Sequence, residues 1–514
     1  MVEGSLIDEF EDATGQTKQR RKIESLAAVV VADALRDGLA WDAQAGCWLT
    51  WTGSHWQTHV LPAPADTLLA HAVKDGCSDH GYRLSYLSGI GQLIQRLDLL
   101  ARPLRPEGVV PFRNGLLDLE TGELSAPTPD RALDWCLPHD FAPQATCPSI
   151  HAWLMRATDN DPETVELLRA WLAALVRDLP LQKFLVLIGR GGTGKGTFQR
   201  LAAALVGDAN VAISTLRDLE TNRFELAKIY AKRLCMINEA GRHGGALNML
   251  KAMTGEDALP LERKHQQQTG TFVFTGLTLL ATNEDVQTTD STSGLERRRV
   301  TVRFPATATE AERADWHTRG GEAGVLHREI PGLINWLLQL DAPAIRKRFE
   351  QLPEHVRNEN LLGMAAGNPV ADWLITCTAA DPDAYLQIGV LSKDETGRPL
   401  FDHTHDWAYQ SYRAFCLETG RDRPASVVKF REIVTDIARD LGRPVQFVEH
   451  PRKRTRILKG LRLVTNPLAC ERVARGCERD KSLIREKREG WDELLPEKNS
   501  DAPDQPPESH RYIM

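Results

Sequence analysis

The sequence predicts an α/β protein: an alternating strand and helix core flanked by smaller mixed domains. Three observations predict it. Apolar runs of strand length, at 184–188, 233–237 and 277–282, alternate with helix-period segments between residues 163 and 305. The first run leads into Gly189-Arg190-Gly191-Gly192-Thr193-Gly194-Lys195-Gly196-Thr197, a glycine-rich loop that opens a helix. At 514 residues the chain exceeds one ordinary core, so about two to four domains are expected.

From the N-terminus, residues 1–20 read as flexible, and Ile23, Leu26, Val29, Val30 and Ala34 recur at helical spacing over 18–37. Trp41, Trp48, Trp51 and Trp56 surround turn residues and make 41–56 a β-hairpin candidate. Their rings suit either packing or stacking on bases, packing being the commoner use. Residues 111–124 read as two short strands around Glu120-Thr121-Gly122, and 138–148 as a linker. Asp161 and Pro162 suit the cap and first position of a helix over 163–177. After the core, 310–354 reads as helical and 370–465 as a smaller mixed domain. Residues beyond 466 are charged and proline-bearing and read as disordered. The expected division is 1–40, 41–150, 151–310, 311–369, 370–465 and 466–514.

Composition narrows the function. The net charge of −7 carries no overall basic character, so nucleic-acid contact has to come from local patches or a pore. Nine cysteines are scattered without a Cys-x-x-Cys pair, which argues against zinc ribbons and disulfide frameworks and fits a reducing cytoplasm. The first 17 residues are acidic and polar, unlike a signal peptide. No apolar stretch approaches the roughly 20 residues that span a bilayer, so no membrane is expected.

The glycine-rich loop lets backbone N–H groups face phosphate oxygens, and Lys195 adds charge for the β- and γ-phosphates of a nucleotide. Gly189, Gly191, Gly192, Thr193, Gly194, Lys195, Gly196 and Thr197 are the candidate phosphate-binding residues. Gly196 stands where Ser or Thr is usual, which leaves Thr197 to serve Mg2+. The strand at 233–237 ends in Asn238-Glu239. A carboxylate there can hold Mg2+ through water or orient and deprotonate an attacking water, and Glu239 suits the second task. The strand at 277–282 ends in Asn283, which suits a hydrogen bond to a γ-phosphate. Between these strands, 258–275 reads as a hairpin with Arg263, Lys264 and His265 near its tip. It is either a phosphate-contacting element or a solvated turn. Arg297 and Arg298 precede a core strand, where arginines can reach a γ-phosphate across a subunit boundary or simply face solvent.

The order of these features between Gly189 and Arg298 resembles the superfamily 3 helicases of viruses, phages and plasmids, in particular the poxvirus/phage-type primase–helicase family. The stretch Leu261-Glu262-Arg263-Lys264-His265 is also similar to the DNA-tracking hairpin of papillomavirus initiator helicases. Residues 48–56 and Asn114-Gly115-Leu116-Leu117-Asp118 look like the family's N-terminal helicase-associated domain, and 370–465 like its winged-helix region. Within that region 427–439 reads as an amphipathic helix that suits a recognition helix, and Arg452, Lys453, Arg454, Arg456, Lys459 and Arg462 form a basic run that is either a wing touching phosphates or a basic surface turn. The resemblance covers residues 40–465. It implies an AAA+-like phosphate-loop core, ATP and Mg2+ as ligands, a homo-oligomeric ring of six subunits, and DNA as partner, single-stranded in the pore with origin duplex as a further target. In it Lys195, Glu239, Asn283 and the trans-acting Arg297 and Arg298 carry catalysis. The span ahead of residue 41 is too short for a polymerase core, so a separate primase or polymerase is expected. The implied function is DNA unwinding in a phage, prophage or plasmid within a bacterial cytoplasm. A non-unwinding initiator or loader, or a nucleotide phosphotransferase, remains the alternative, since Gly-Lys-Gly-Thr also occurs in nucleoside monophosphate kinases.

Overall fold

The computed structural model describes residues 5–59, 63–78, 80–103, 105–131, 133–238, 247–262, 270–283, 293–396, 398–421, 424–443, 445–449 and 456–464. The chain forms two compact units, Met1–Asn368 and Pro369–Met514.

The first unit opens with a hairpin of β1 (Ile7–Glu11) and β2 (Thr17–Arg21), where the sequence reads as flexible. Hydropathy gives no strand signal there because the pairing is polar: Asp8 lies opposite Arg20, and Glu9 opposite Gln19. Asp12 accepts from the Thr14 amide at 2.8 Å and pairs with Lys18 at 2.6 Å, which closes the turn. Leu6, fully buried, anchors the hairpin by donating its amide to Gly76 O.

Helix α1 (Glu24–Leu35) follows, then a meander of β3 (Leu39–Asp42), β4 (Cys47–Trp51) and β5 (Trp56–His59), then α2 (Ala63–Cys77) and α3 (Leu84–Arg96). Trp48 and Trp56 are 4% and 2% exposed, so both pack in cores and neither offers a face to a base. A second small sheet, β6 (Val109–Phe112), β7 (Gly115–Asp118) and β8 (Leu124–Ser125), adds a strand to the two expected. Helices α4 (Pro148–Ala157) and α5 (Pro162–Val176) lead into the core. Asp161 caps α5 as the sequence suggests, accepting from the amides of Glu163 at 3.1 Å and Thr164 at 3.3 Å.

The core alternates β9 (Phe184–Ile188), α6 (Lys195–Val206), β10 (Val211–Ser214), α7 (Leu216–Thr221), α8 (Leu226–Ile229), β11 (Leu234–Asn238), α9 (Asn248–Thr254), β12 (Ala258–Leu261), β13 (Gly270–Val273), β14 (Leu277–Thr282), α10 (Ser293–Glu296) and β15 (Arg299–Arg303). Five strands form a parallel sheet in the order β10-β11-β14-β9-β15. All five residues of β9 are buried, as expected of a strand covered on both faces. Leu185 and Leu187 face a cluster with α4, α5 and α6, while Phe184, Val186 and Ile188 face one with α7, α8 and α9. β12 and β13 pair as a separate antiparallel hairpin. Helices α11 (Glu310–Thr318), α12 (Gly321–Leu338), α13 (Ala342–Glu350) and α14 (Glu354–Gly367) then return to the core. α12 packs on α4, α5 and α6, and α14 on β15.

A charged network ties the N-terminal elements to the root of the β12–β13 hairpin. Arg102 bridges Asp42 and Asp134, each at 2.7 Å. Arg105 pairs with Asp134 and Asp178, and Asp178 pairs with Arg233, which is 3% exposed. Tyr230 donates to Asp42 at 3.3 Å, and the Thr271 amide at the hairpin root donates to Gln44 O. Burial works to raise the Asp134 pKa, but Arg105, Arg102 and Arg233 outweigh it and hold the carboxyl below its usual value. Asp134→Ala strips two arginines of a shared partner. We expect it to cost on the order of 3–5 kcal/mol, measured by urea denaturation. A loss below about 1 kcal/mol, the range of an exposed pair, contradicts the network's role.

The second unit contains α15 (Pro369–Cys377), β16 (Thr378–Gln387), the short pair β17 (Ser392–Lys393) and β18 (Pro399–Leu400), α16 (Ala408–Glu418), α17 (Val427–Asp440), β19 (Gln446–Glu449) and β20 (Arg456–Leu463). Its antiparallel sheet has the order β16-β20-β19. Ser426 caps α17, and Phe430 seats it among Trp373, Tyr409 and Tyr412 at ring distances of 5.4, 5.5 and 5.0 Å. Arg452, Lys453 and Arg454 lie outside the described residues.

Candidate functional site

Residues 189–194 turn sharply between β9 and α6. A Cβ at Gly189 would lie 2.6 Å from Phe304 O and 2.8 Å from the Thr193 hydroxyl, so no larger residue fits. Gly192 and Gly194 have φ of +81° and +106°, in the region that favours glycine. Buried Thr193 donates to Arg190 O at 2.9 Å and braces the loop from inside.

Lys195 begins α6. Its ammonium donates to Gly189 O at 2.5 Å, Arg190 O at 2.9 Å and Asn283 Oδ1 at 3.0 Å. Asn283 follows β14, which pairs with β9 in register up to Thr282 opposite Ile188. The sheet therefore brings the strand tip and the loop lysine to one edge, the carboxyl edge where α/β sheets bind ligands. Burial moves the Lys195 pKa below its usual value. Asn238, at the end of β11, accepts from Gln199 Nε2 at 2.8 Å.

These groups line a cavity of about 860 Å³. Its opposite wall comes from α4, α11 and α12. Arg156 pairs with Glu312 at 2.9 Å and donates to Ala306 O at 2.9 Å. Trp153 and Trp316 stand 6.4 Å apart. Glu322 reaches across to α6, where Thr197 donates to its Oε2 at 2.9 Å and Arg200 grips both of its oxygens at 2.5 and 2.8 Å. Burial works to raise the Glu322 pKa, but the bonds from Arg200 and Thr197 outweigh it and leave it lowered.

The fold thus gathers Gly189, Gly191, Gly192, Thr193, Gly194, Lys195, Gly196, Thr197 and Asn283 at one end of the sheet. It does not bring Arg297 and Arg298 there. Arg299 pairs with Phe184 at the opposite end of β9 from the loop. Four residue steps along β9 separate the ends, roughly 13 Å at about 3.3 Å per step. Arg297 is exposed, and Arg298 donates to Gly294 O at 2.8 Å. Glu239 lies outside the described residues, as do Arg263, Lys264 and His265, although the strands on either side of that basic stretch pair from Ala258–Val273 to Leu261–Gly270. Gln199, Arg200, Arg156 and Glu322 also line the cavity, and no motif in the sequence singles them out. Arg200 was within reach, one helical turn after Thr197. Glu322 had no signal, since its partners lie more than a hundred positions away in the chain.

No helix among the described residues is long and apolar enough to cross a membrane. Residues 28–159 match a family described as D5 N terminal like, and residues 187–299 match a family of unknown function, DUF5906. The chain is 29% identical over 121 residues to an uncharacterized mitochondrial protein, ymf21, of Marchantia polymorpha, covering 21% of this chain and 67% of that protein. Solved structures of the NrS-1 C-terminal region are also similar. The apo structure of that region (305–718) has TM-score 0.43 and 13% identity and covers 85% of this chain and 99% of that one. An A form apo structure has TM-score 0.38 and 11% identity and covers 82% and 96%.

Proposed function

We propose that this chain is an ATP-dependent, ring-forming DNA helicase of superfamily 3, related to the phage-type D5 primase–helicases and serving replication of a phage, prophage or plasmid. The observation that carries the reading is the junction of Lys195 and Asn283 at 3.0 Å, beside a cavity of about 860 Å³. The D5 N-terminal-like match over 28–159 supports the family. The strand order supports an AAA+-like core, because β14 with its asparagine tip lies between the loop strand β9 and β11, the strand that precedes Glu239. In the second unit, the order α15, β16, α16, α17, β19, β20 with sheet order β16-β20-β19 supports a winged helix with α17 as recognition helix.

In this reading the loop amides and Lys195 bind the phosphates of ATP. Glu239 orients the attacking water and accepts its proton, and Asn283 hydrogen-bonds the γ-phosphate. The Thr197 hydroxyl, the Asn238 amide oxygen and the Glu239 carboxylate are hard oxygen donors that suit Mg2+, which neutralises phosphate charge when bound. Arg297 and Arg298, at the far end of the sheet, serve the neighbouring subunit's site. Lys264 and His265 move with the hairpin and carry one DNA strand.

The test is Lys264→Ala/His265→Ala. Basal ATPase and ring assembly stay near wild type, while DNA stimulation and unwinding fall. The slope of log K against log salt becomes shallower by roughly 0.7 per lost single-strand phosphate contact, and equally on different DNA sequences. Unchanged unwinding would place the tracking element elsewhere.

A further inference from the structure

Gly196 departs from the usual phosphate-loop pattern, and the structure shows what stands over it. A Cβ at position 196 would lie 3.1 Å from Arg200 Nη1 and 3.6 Å from Nη2. The Arg200 guanidinium therefore lies against the first turn of α6, where a Ser or Thr side chain would otherwise project. Thr197 and Arg200 are three residues apart on one helix face, and both line the cavity with Lys195. Both hold the same anion, the Glu322 carboxylate: Thr197 through one hydrogen bond, Arg200 through two.

We propose that Arg200 is a phosphate-binding residue of this site and that Glu322 is its displaceable counter-ion, so that nucleotide phosphate and the Glu322 carboxylate compete for Arg200 and Thr197. The proposal rests on the nucleotide-binding reading above and names how that site is regulated.

The chemistry favours exchange. A guanidinium fork fits a carboxylate and a phosphate in the same two-bond geometry, and a hydroxyl donates to either. Glu322 places negative charge in a cavity whose loop and lysine are built for polyphosphate, so it opposes that ligand for as long as it stays. Other acidic groups nearby are committed differently. Glu329 accepts from the amides of Ser149 and Ile150 and from Arg319, which fixes α12 to α4. Arg156, the partner of Glu312, also grips the Ala306 carbonyl. The Glu322 carboxylate accepts from Thr197 and Arg200, both cavity-lining side chains of α6. Arg200 is 64% exposed, so the pair contributes little to the fold and is cheap to exchange.

Calorimetric titration of wild type, Lys195→Ala, Arg200→Ala, Glu322→Gln, Glu322→Ala and Arg200→Ala/Glu322→Gln with ADP and with inorganic tripolyphosphate tests this. Arg200→Ala weakens both ligands about tenfold, the scale of a charge-assisted hydrogen bond. Both Glu322 variants tighten both ligands, by roughly three- to tenfold. On the Arg200→Ala background most of the Glu322→Gln gain disappears, because the freed donor is gone. Melting temperatures stay close to wild type. Weaker or unchanged binding in the Glu322 variants, or an equal gain without Arg200, overturns the proposal. If Lys195→Ala binds like wild type, the nucleotide reading itself fails. If Lys195→Ala loses binding and Glu322→Gln gains none, only the counter-ion role fails.

Discussion

Lys195→Ala lowers ATP turnover by at least about a hundred- to a thousandfold, the range for removing one preorganised group from a developing charge. The fold is unaffected. The ammonium touches the Gly189 and Arg190 carbonyls and the Asn283 side chain, none of them in the hydrophobic clusters. The alanine fits the first turn of α6 at no conformational cost. Phosphate release and a melting curve on the same preparation check both halves. Near wild-type turnover, or a collapse of the melting temperature, contradicts the assignment.

Arg297→Ala/Arg298→Ala subunits are inactive alone and regain activity when mixed with Lys195→Ala subunits. The geometry motivates this: both arginines sit at the end of the sheet opposite the 189–197 loop of their own chain and do not line its cavity. In an equal mixture, roughly a quarter of ring interfaces join an intact loop to an intact arginine. ATPase of rings shown to be mixed should approach that share of wild type. No recovery in such rings overturns the trans assignment and leaves the arginines a structural role or one within their own subunit.

What the sequence made legible is what it encodes locally. The loop at 189–197, the buried strands and the Asp161 cap depend on neighbours a few residues away, and the structure places them as their spacing implies. The hairpin strands at Ala258–Leu261 and Gly270–Val273 belong to the same class. The N-terminal hairpin was hidden because every cross-strand pair includes a charged residue and no face alternates. The extent of the core was hidden as well. Residues 311–369 read as a separate helical segment, yet α12 supplies Glu322 to the cavity wall and Glu329 to the cap of α4. The network of Asp42, Arg102, Asp134, Asp178 and Arg233 draws on segments nearly two hundred residues apart, each resembling a solvated surface charge in isolation. Pairing by tertiary approach leaves no periodic trace.

Under the proposed function, ATP hydrolysis by this chain drives movement on DNA. The most direct measurement is displacement of a labelled strand from a duplex carrying a single-stranded tail, followed with and without ATP beside phosphate release. The expected result is displacement that requires ATP, hydrolysis stimulated by single-stranded DNA, and loss of both in Lys195→Ala. Hydrolysis indifferent to DNA, with no strand displaced on tails of either polarity, contradicts it.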